Sequence, residues 1–210
     1  MAVKKCISPK GELEWVNISG EGKENMSGKM QYVASVVLDG EAAEKMKAEI
    51  NAFWEENKPK SFKKDPKSLG FYAHSKKTDE TDEDGKAIYE EDGKTLFQFK
   101  TGTTYNDGKT KVIRTYNSKA KEVALGETKI GNGSIGAISG AMGTYENKTP
   151  NGKTIVDAGV TLYLDAIKIS KLVEFTQATG FEADDDDDGW EGDEGWEGDD
   201  SDAPSAGPRL

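Results

Sequence analysis

The chain of 210 residues contains one cysteine, Cys6, and one histidine, His74. A single cysteine forms no internal disulfide, which agrees with a reducing compartment. With one of each, tetrahedral zinc sites and Cys-His nucleophilic dyads lack material. Long apolar runs are also missing. None approaches the roughly 20 residues of a membrane-spanning helix, and the start MAVKKCISPKGELEW lacks the apolar stretch of a secretory signal. A cytoplasmic protein is expected. Catalytic motifs are equally scarce: His74 stands beside Ser75 with no motif around either, and no acid pair sits in an apolar setting that would shift a pKa. No catalytic residue, metal ligand or cofactor site is nominated, and the sequence predicts a protein that is not an enzyme.

What is present is charge, and it is unevenly placed. The formal net charge is -11. From Glu182 to Leu210 there are 13 acidic residues against one basic residue, Arg209, so the body carries a charge near zero. Within the body, the stretch Asp79 to Asp92 holds eight further acids against one lysine, Lys86. The remainder is basic, and a basic surface attracts polyanions such as nucleic acid. The acidic end contains Asp184, Asp185, Asp186, Asp187 and Asp188, then two copies of a hexapeptide, GWEGDE and GWEGDD, centred on Trp190 and Trp196. Its composition predicts a disordered acidic tail over residues 180–210, with one folded domain over residues 1–179.

Along the body, QYVASVVL (31–38) is short and β-branched and reads as a strand. Glu41 to Asn57 places Ala42, Met46, Ile50 and Phe53 at helical spacing, with Asp39 as N-cap and Pro59 just beyond. Lys58 to Ser68, basic and proline-punctuated, reads as a surface loop. In KTLFQFKTGTTY the period becomes two, and the turn Asn106-Asp107-Gly108 predicts a β-hairpin over Leu96 to Asn117. Glu122 to Leu125 is a further strand candidate. Two long strands follow, joined by a turn at Asn147 to Gly152. Glycines 131, 133, 136, 140 and 143 suit a bent or bulged strand of the kind barrel corners require. The pattern predicts a mainly β fold, a small antiparallel barrel with one helix.

Two motifs are decoys. GNGSIG (131–136) matches the dinucleotide-binding glycine pattern, but no helix follows it. Glu80, Asp82, Asp84, Gly85 and Glu91 fall at calcium-loop positions, yet the first should be aspartate and flanking helices are missing. A solvated charged loop is the simpler reading. By contrast, aromatic and basic residues interleave through the strand region, the mixture single-stranded nucleic acid needs: cations for phosphates and flat rings for unpaired bases.

The block KTLFQFKTGTTYNDGKTK, then NSKAKEV, IGNGSIG, the closing strand AGVTLYLDAIKISKLVEF and the acidic tail with aromatics resemble the OB-fold single-stranded DNA-binding proteins of tailed bacteriophages. The resemblance covers about Lys94 to Phe175 plus the tail, with a weaker echo from Gln31 to Asn57. It implies coating of single-stranded DNA during phage replication, recombination and repair in the host cytoplasm. It further implies a tail that competes with DNA for the basic cleft and contacts partners such as DNA polymerase or helicase. Relatives place an aromatic residue at or beside the C-terminus, whereas this chain ends in APSAGPRL, so the docking group is Trp190, Trp196 or Leu210. The expected phosphate contacts are Lys100, Lys109, Lys111, Arg114 and Lys119, and the expected stacking rings are Tyr105, Tyr116, Phe97 and Phe99. The competing readings are an acidic-tailed interaction module, a DNA mimic or chaperone of basic proteins, and a calcium-dependent phage structural protein.

Overall fold

The computed structural model describes residues 2–175 except 26, 83 and 106. The elements run β1 (Val3–Ile7), β2 (Gly11–Asn17), β3 (Lys23–Glu24), β4 (Met30–Leu38), α1 (Gly40–Asn57), β5 (Phe71–Thr81), β6 (Ala87–Gly102), β7 (Arg114–Tyr116), β8 (Ser134–Lys148) and β9 (Ile155–Lys171). The expected boundary at residue 179 and the tail residues Asp184 to Asp188, Trp190, Trp196 and Leu210 lie outside the described residues.

Strand pairing closes on itself. β2 pairs β4, β4 pairs β6, β6 pairs β9, β9 pairs β8, and β8 returns to β2. Four of these joints are antiparallel. The fifth, β6 to β9, is parallel and two residues long, Phe99 opposite Leu162 and Lys100 opposite Tyr163. A five-stranded ring of this kind is the OB-fold architecture. β1 lengthens the wall by pairing β8 beyond β2, while β7 pairs β9 in parallel along its later residues.

Alternation along the strands fills the ring. Leu13, Tyr32, Ala34, Val36, Leu38, Phe97, Phe99, Ile138, Met142, Leu162 and Ile167 form one buried cluster. The helix joins that cluster with Ala43, Met46, Ile50, Phe53 and Trp54. The inward stripe thus begins at Ala43 rather than at Ala42, and Asp39 occupies the N-cap position without a side-chain capping bond. Lys58 to Ser68 is irregular as expected, but it buries Phe62 edge-on against Trp54 at 6.1 Å between centroids.

Two local expectations are corrected. Leu96 to Asn117 is not a hairpin of two paired strands. Its turn forms, with the Tyr105 N–H donating to Lys109 O at 2.8 Å and a bridge between Thr104 and Thr110. Beyond the turn the chain leaves β6, because β4 and β9 already occupy both of its edges there, and the returning residues pair with β9 instead. Glu122 to Leu125 forms no named strand: Glu122 bridges to Tyr116, and Val123 donates its N–H to Thr115 O at 2.9 Å while its own carbonyl accepts from Thr115 Oγ1 at 2.6 Å.

The stretch around the calcium-like pattern is a β-arm. β5 pairs β6 from Phe71 opposite Phe97 out to Thr81 opposite Ala87. The arm is fastened to the far side of the wall by His74, which is 4% exposed. Its Nδ1 lies 3.0 Å from Asp92 Oδ1 on β6, and its Nε2 lies 3.2 Å from Glu14 Oε1 on β2. Both ring nitrogens thus face a carboxylate oxygen, which ties β5 to β6 and to β2 through one side chain. Partial burial pushes the Asp92 carboxyl up. The His74 hydrogen bond, the Lys94 amide and the charges of His74 and Lys76 outweigh that and hold it below its ordinary value. A carboxylate held this way stabilises the fold above its ordinary pKa, and the stabilisation is lost as pH falls through the lowered one. Thermal midpoints measured by circular dichroism should therefore drop on acidification below about pH 4. Asp92→Asn should start lower at neutral pH and show a shallower acid limb.

Candidate nucleic-acid interface

Cross-strand registers set one row of residues over the outside of the ring. Lys5 lies opposite Ala141, Ala141 opposite Tyr163, Tyr163 opposite Lys100, and Lys100 opposite Val33. Their chain neighbours Cys6, Met142, Leu162 and Phe99 belong to the core, which turns this row outward. Tyr163 is 37% exposed at the centre of the row. A Cβ on Gly143 would come within 2.6 Å of the Tyr163 ring, so the missing side chain is what lets the ring lie against β8. A second row runs beside the first, from Ile7 to Ser139, Ala166 and Arg114. Ser139, Ala141, Gly143 and Ala166 are all small and give a shallow floor between the flanking cations.

Electrostatics on this face favour an anion. Among the described residues Lys5, Lys100, Arg114, Lys119 and Lys168 take part in no ion pair, whereas Lys4 is tied to Glu49 and Lys67 to Asp157. Arg114 stands opposite Ala166, and Tyr116 opposite Lys168, so β7 extends the face by one strand. The turn after β7 carries Lys119, whose N–H donates to Asn117 Oδ1 at 3.0 Å. The 103–111 loop brings Lys111 Nζ to 5.3 Å from the Tyr105 ring centroid and within 2.9 Å of Thr101 Oγ1. Lys109 pairs with Asp107 at 3.2 Å. Flat rings beside uncompensated cations on a shallow wall can stack bases and neutralise phosphates together.

The nearby reactive groups are inert. Burial pushes the Cys6 thiol up to about 11, with Glu49 adding to it and Lys4 opposing. Burial, Asp157 and Tyr72 also push the Tyr145 hydroxyl up, so it remains neutral.

Comparison with solved structures fits this geometry. The gp2.5 protein, a single-stranded DNA binding protein encoded by bacteriophage T7, matches with a TM-score of 0.55 at 21% identity, over 91% of this chain and 100% of that one. The single-stranded DNA-binding protein from bacteriophage Enc34, in C-terminally truncated form, matches with a TM-score of 0.51 at 11% identity, over 80% and 85% of the two chains. The fold is that of phage single-stranded DNA-binding proteins. No family model and no curated protein matches the sequence.

Of the residues expected from sequence, the ring brings Lys100, Arg114 and Tyr116 onto one face. Tyr105, Lys109 and Lys111 gather on the adjoining loop, and Lys119 sits at the rim. Phe97 and Phe99 are corrected. Both are 0% exposed inside the ring, and a ring with no free face cannot stack on a base. Sequence reasoning missed Tyr163, which alternation on the closing strand could have marked as outward, and also Lys5 on β1 and Lys168, whose outward face follows a register shift on β9 that alternation does not reveal. It also missed Trp15, 58% exposed at a bulge of β2 with φ of 53°. The Trp15 N–H is held there by Asn132 Oδ1 at 3.0 Å. Such a conformation is strained for a bulky residue.

Two neighbouring glycines should respond differently to alanine. At Gly140 the new Cβ would collide with the backbone carbonyl of Tyr163, which cannot move without opening the ring, at a cost of about 1–3 kcal/mol in urea denaturation. At Gly143 it would meet only the Tyr163 ring, so stability should change less while tyrosine fluorescence reports the displaced ring.

Proposed function

We propose that this chain is a non-catalytic, sequence-independent single-stranded DNA-binding protein acting in phage DNA replication, recombination and repair. The observation that carries the reading is the outward row in which Tyr163 lies between Lys5 and Lys100, cations that take part in no ion pair among the described residues, over a floor of small residues. A single strand laid along it stacks bases on Tyr163 and Tyr116 and places phosphates by Lys5, Lys100, Arg114 and Lys168. Lys111, Lys109, Tyr105 and Lys119 serve the strand where it leaves the wall. The fold shared with the T7 and Enc34 proteins supports the assignment, because both are single-stranded DNA-binding proteins.

In this reading the acidic segment from Glu182 competes with DNA for the same cations at high effective concentration. Its tryptophans, Trp190 and Trp196, offer anchors for a partner such as a DNA polymerase or helicase. The work is done in the host cytoplasm and uses no cofactor.

Fluorescence anisotropy of a labelled oligothymidine across a salt series tests the assignment. Tyr163→Ala should weaken binding by about 1–3 kcal/mol with the salt slope unchanged. Lys100→Ala combined with Arg114→Ala should lower the slope of log affinity against log salt by about 1.4, the value for two single-strand phosphates. A chain ending at Phe181 should bind more tightly than the full chain, the gap closing as salt rises. Absence of binding by both forms would remove the reading.

A further inference from the structure

Beyond Lys100 the outward face continues into a groove that the stacking row does not explain. It is an open groove of about 490 Å³ at the end of β4 and β6, and its lining includes Asn25, Lys29, Met30, Gln31, Thr103 and Thr104. Gln31 lies opposite Gly102, two residues beyond Lys100 on the same face of β6. That separation is about 7 Å along the strand, within reach of the next nucleotide.

Among the described residues several side-chain polar groups of this groove are uncommitted. The Asn25 Oδ1 accepts from the N–H groups of Ser27 at 2.8 Å and Lys29 at 3.0 Å, which fixes the amide and leaves its NH₂ uncommitted. Among the described residues the Gln31 carboxamide and the Thr103 and Thr104 hydroxyls make no intramolecular hydrogen bond. Met30, 38% exposed, supplies the apolar side. Carboxamides and hydroxyls presented together match the adjacent donors and acceptors on the Watson–Crick edge of a base.

We infer that this groove holds the Watson–Crick edge of one unpaired base, turned off the stacking row. A carboxamide can turn over and a hydroxyl can rotate, so the same groups serve any base, in keeping with binding that ignores sequence. In a duplex that edge is consumed by pairing, so the groove discriminates single from double strands by chemistry, where phosphate contacts do not. Lys29 at the groove margin meets the accompanying phosphate. The inference rests on the single-strand reading above and adds an edge-reading subsite to it.

The test compares oligothymidine with an oligomer of 3-methylthymidine of equal length, which keeps the ring, sugar and charge but replaces the edge N–H with a methyl group. The full chain should bind the methylated oligomer about three- to tenfold more weakly, the size of one or two lost hydrogen bonds. Gln31→Ala with Thr103→Val should reduce that ratio to less than about twofold, with the salt slope unchanged. Thr103→Val alone, in the loop after β6, provides a variant that leaves the strands untouched and should give an intermediate ratio. Equal binding of both oligomers by the wild-type chain, or an undiminished ratio in the double variant, would overturn the subsite while leaving single-strand binding intact. Binding of neither oligomer would overturn the underlying reading as well.

Discussion

Everything in this molecule depends on a joint two residues long. The parallel pairing of Phe99 with Leu162 and of Lys100 with Tyr163 is where the sheet becomes a ring. Phe99 and Leu162 point inward and seal the core, and their neighbours Lys100 and Tyr163 point outward and put a cation beside an exposed ring. Strand alternation makes these the same event, since closing the barrel in any other register would separate the lysine from the tyrosine or turn one of them inside. Stability and binding surface are therefore coupled by geometry here, and neither can be shifted along the strand without the other.

Much of the framework was legible in the sequence. Periodicity placed β4, α1 and the pair β8 and β9, and the glycines at 136 and 140 mark the register shifts of β8 as their spacing suggested. The resemblance to phage single-stranded DNA-binding proteins holds at the level of fold. The failures share a cause: they lie where tertiary pairing overrides local pattern. The hairpin expected over Leu96 to Asn117 had a sound turn, but the edges of β6 were claimed by partners far away in the chain. Phe97 and Phe99 read as stacking candidates because alternation gives two faces without saying which is inside. β1 and β2 escaped notice because Lys4 and Glu14 occupy strand positions whose polar groups are answered by Glu49 and His74, contacts invisible in a linear reading.

Charge is segregated on the same logic. Among the described residues Lys5, Lys100, Arg114 and Lys168 on the outward rows take part in no ion pair, while of the acids in the arm Asp84 pairs with Lys86 and Asp92 with Lys76 and His74. A chain whose overall charge is acidic thereby presents a cationic face. Net charge would have argued against a nucleic-acid partner, and its distribution argues for one.

The arm has a consequence of its own. β5 pairs with β6, and the five-stranded ring closes without β5. Beside the packing of Phe71 on Phe97, 5.7 Å between ring centroids, one imidazole bridges Glu14 and Asp92, and it belongs to the chain's sole histidine. The molecule thus carries a built-in, singly occurring spectroscopic reporter where the arm meets β2, whose ring resonances register the contacts of His74 with Glu14 and Asp92.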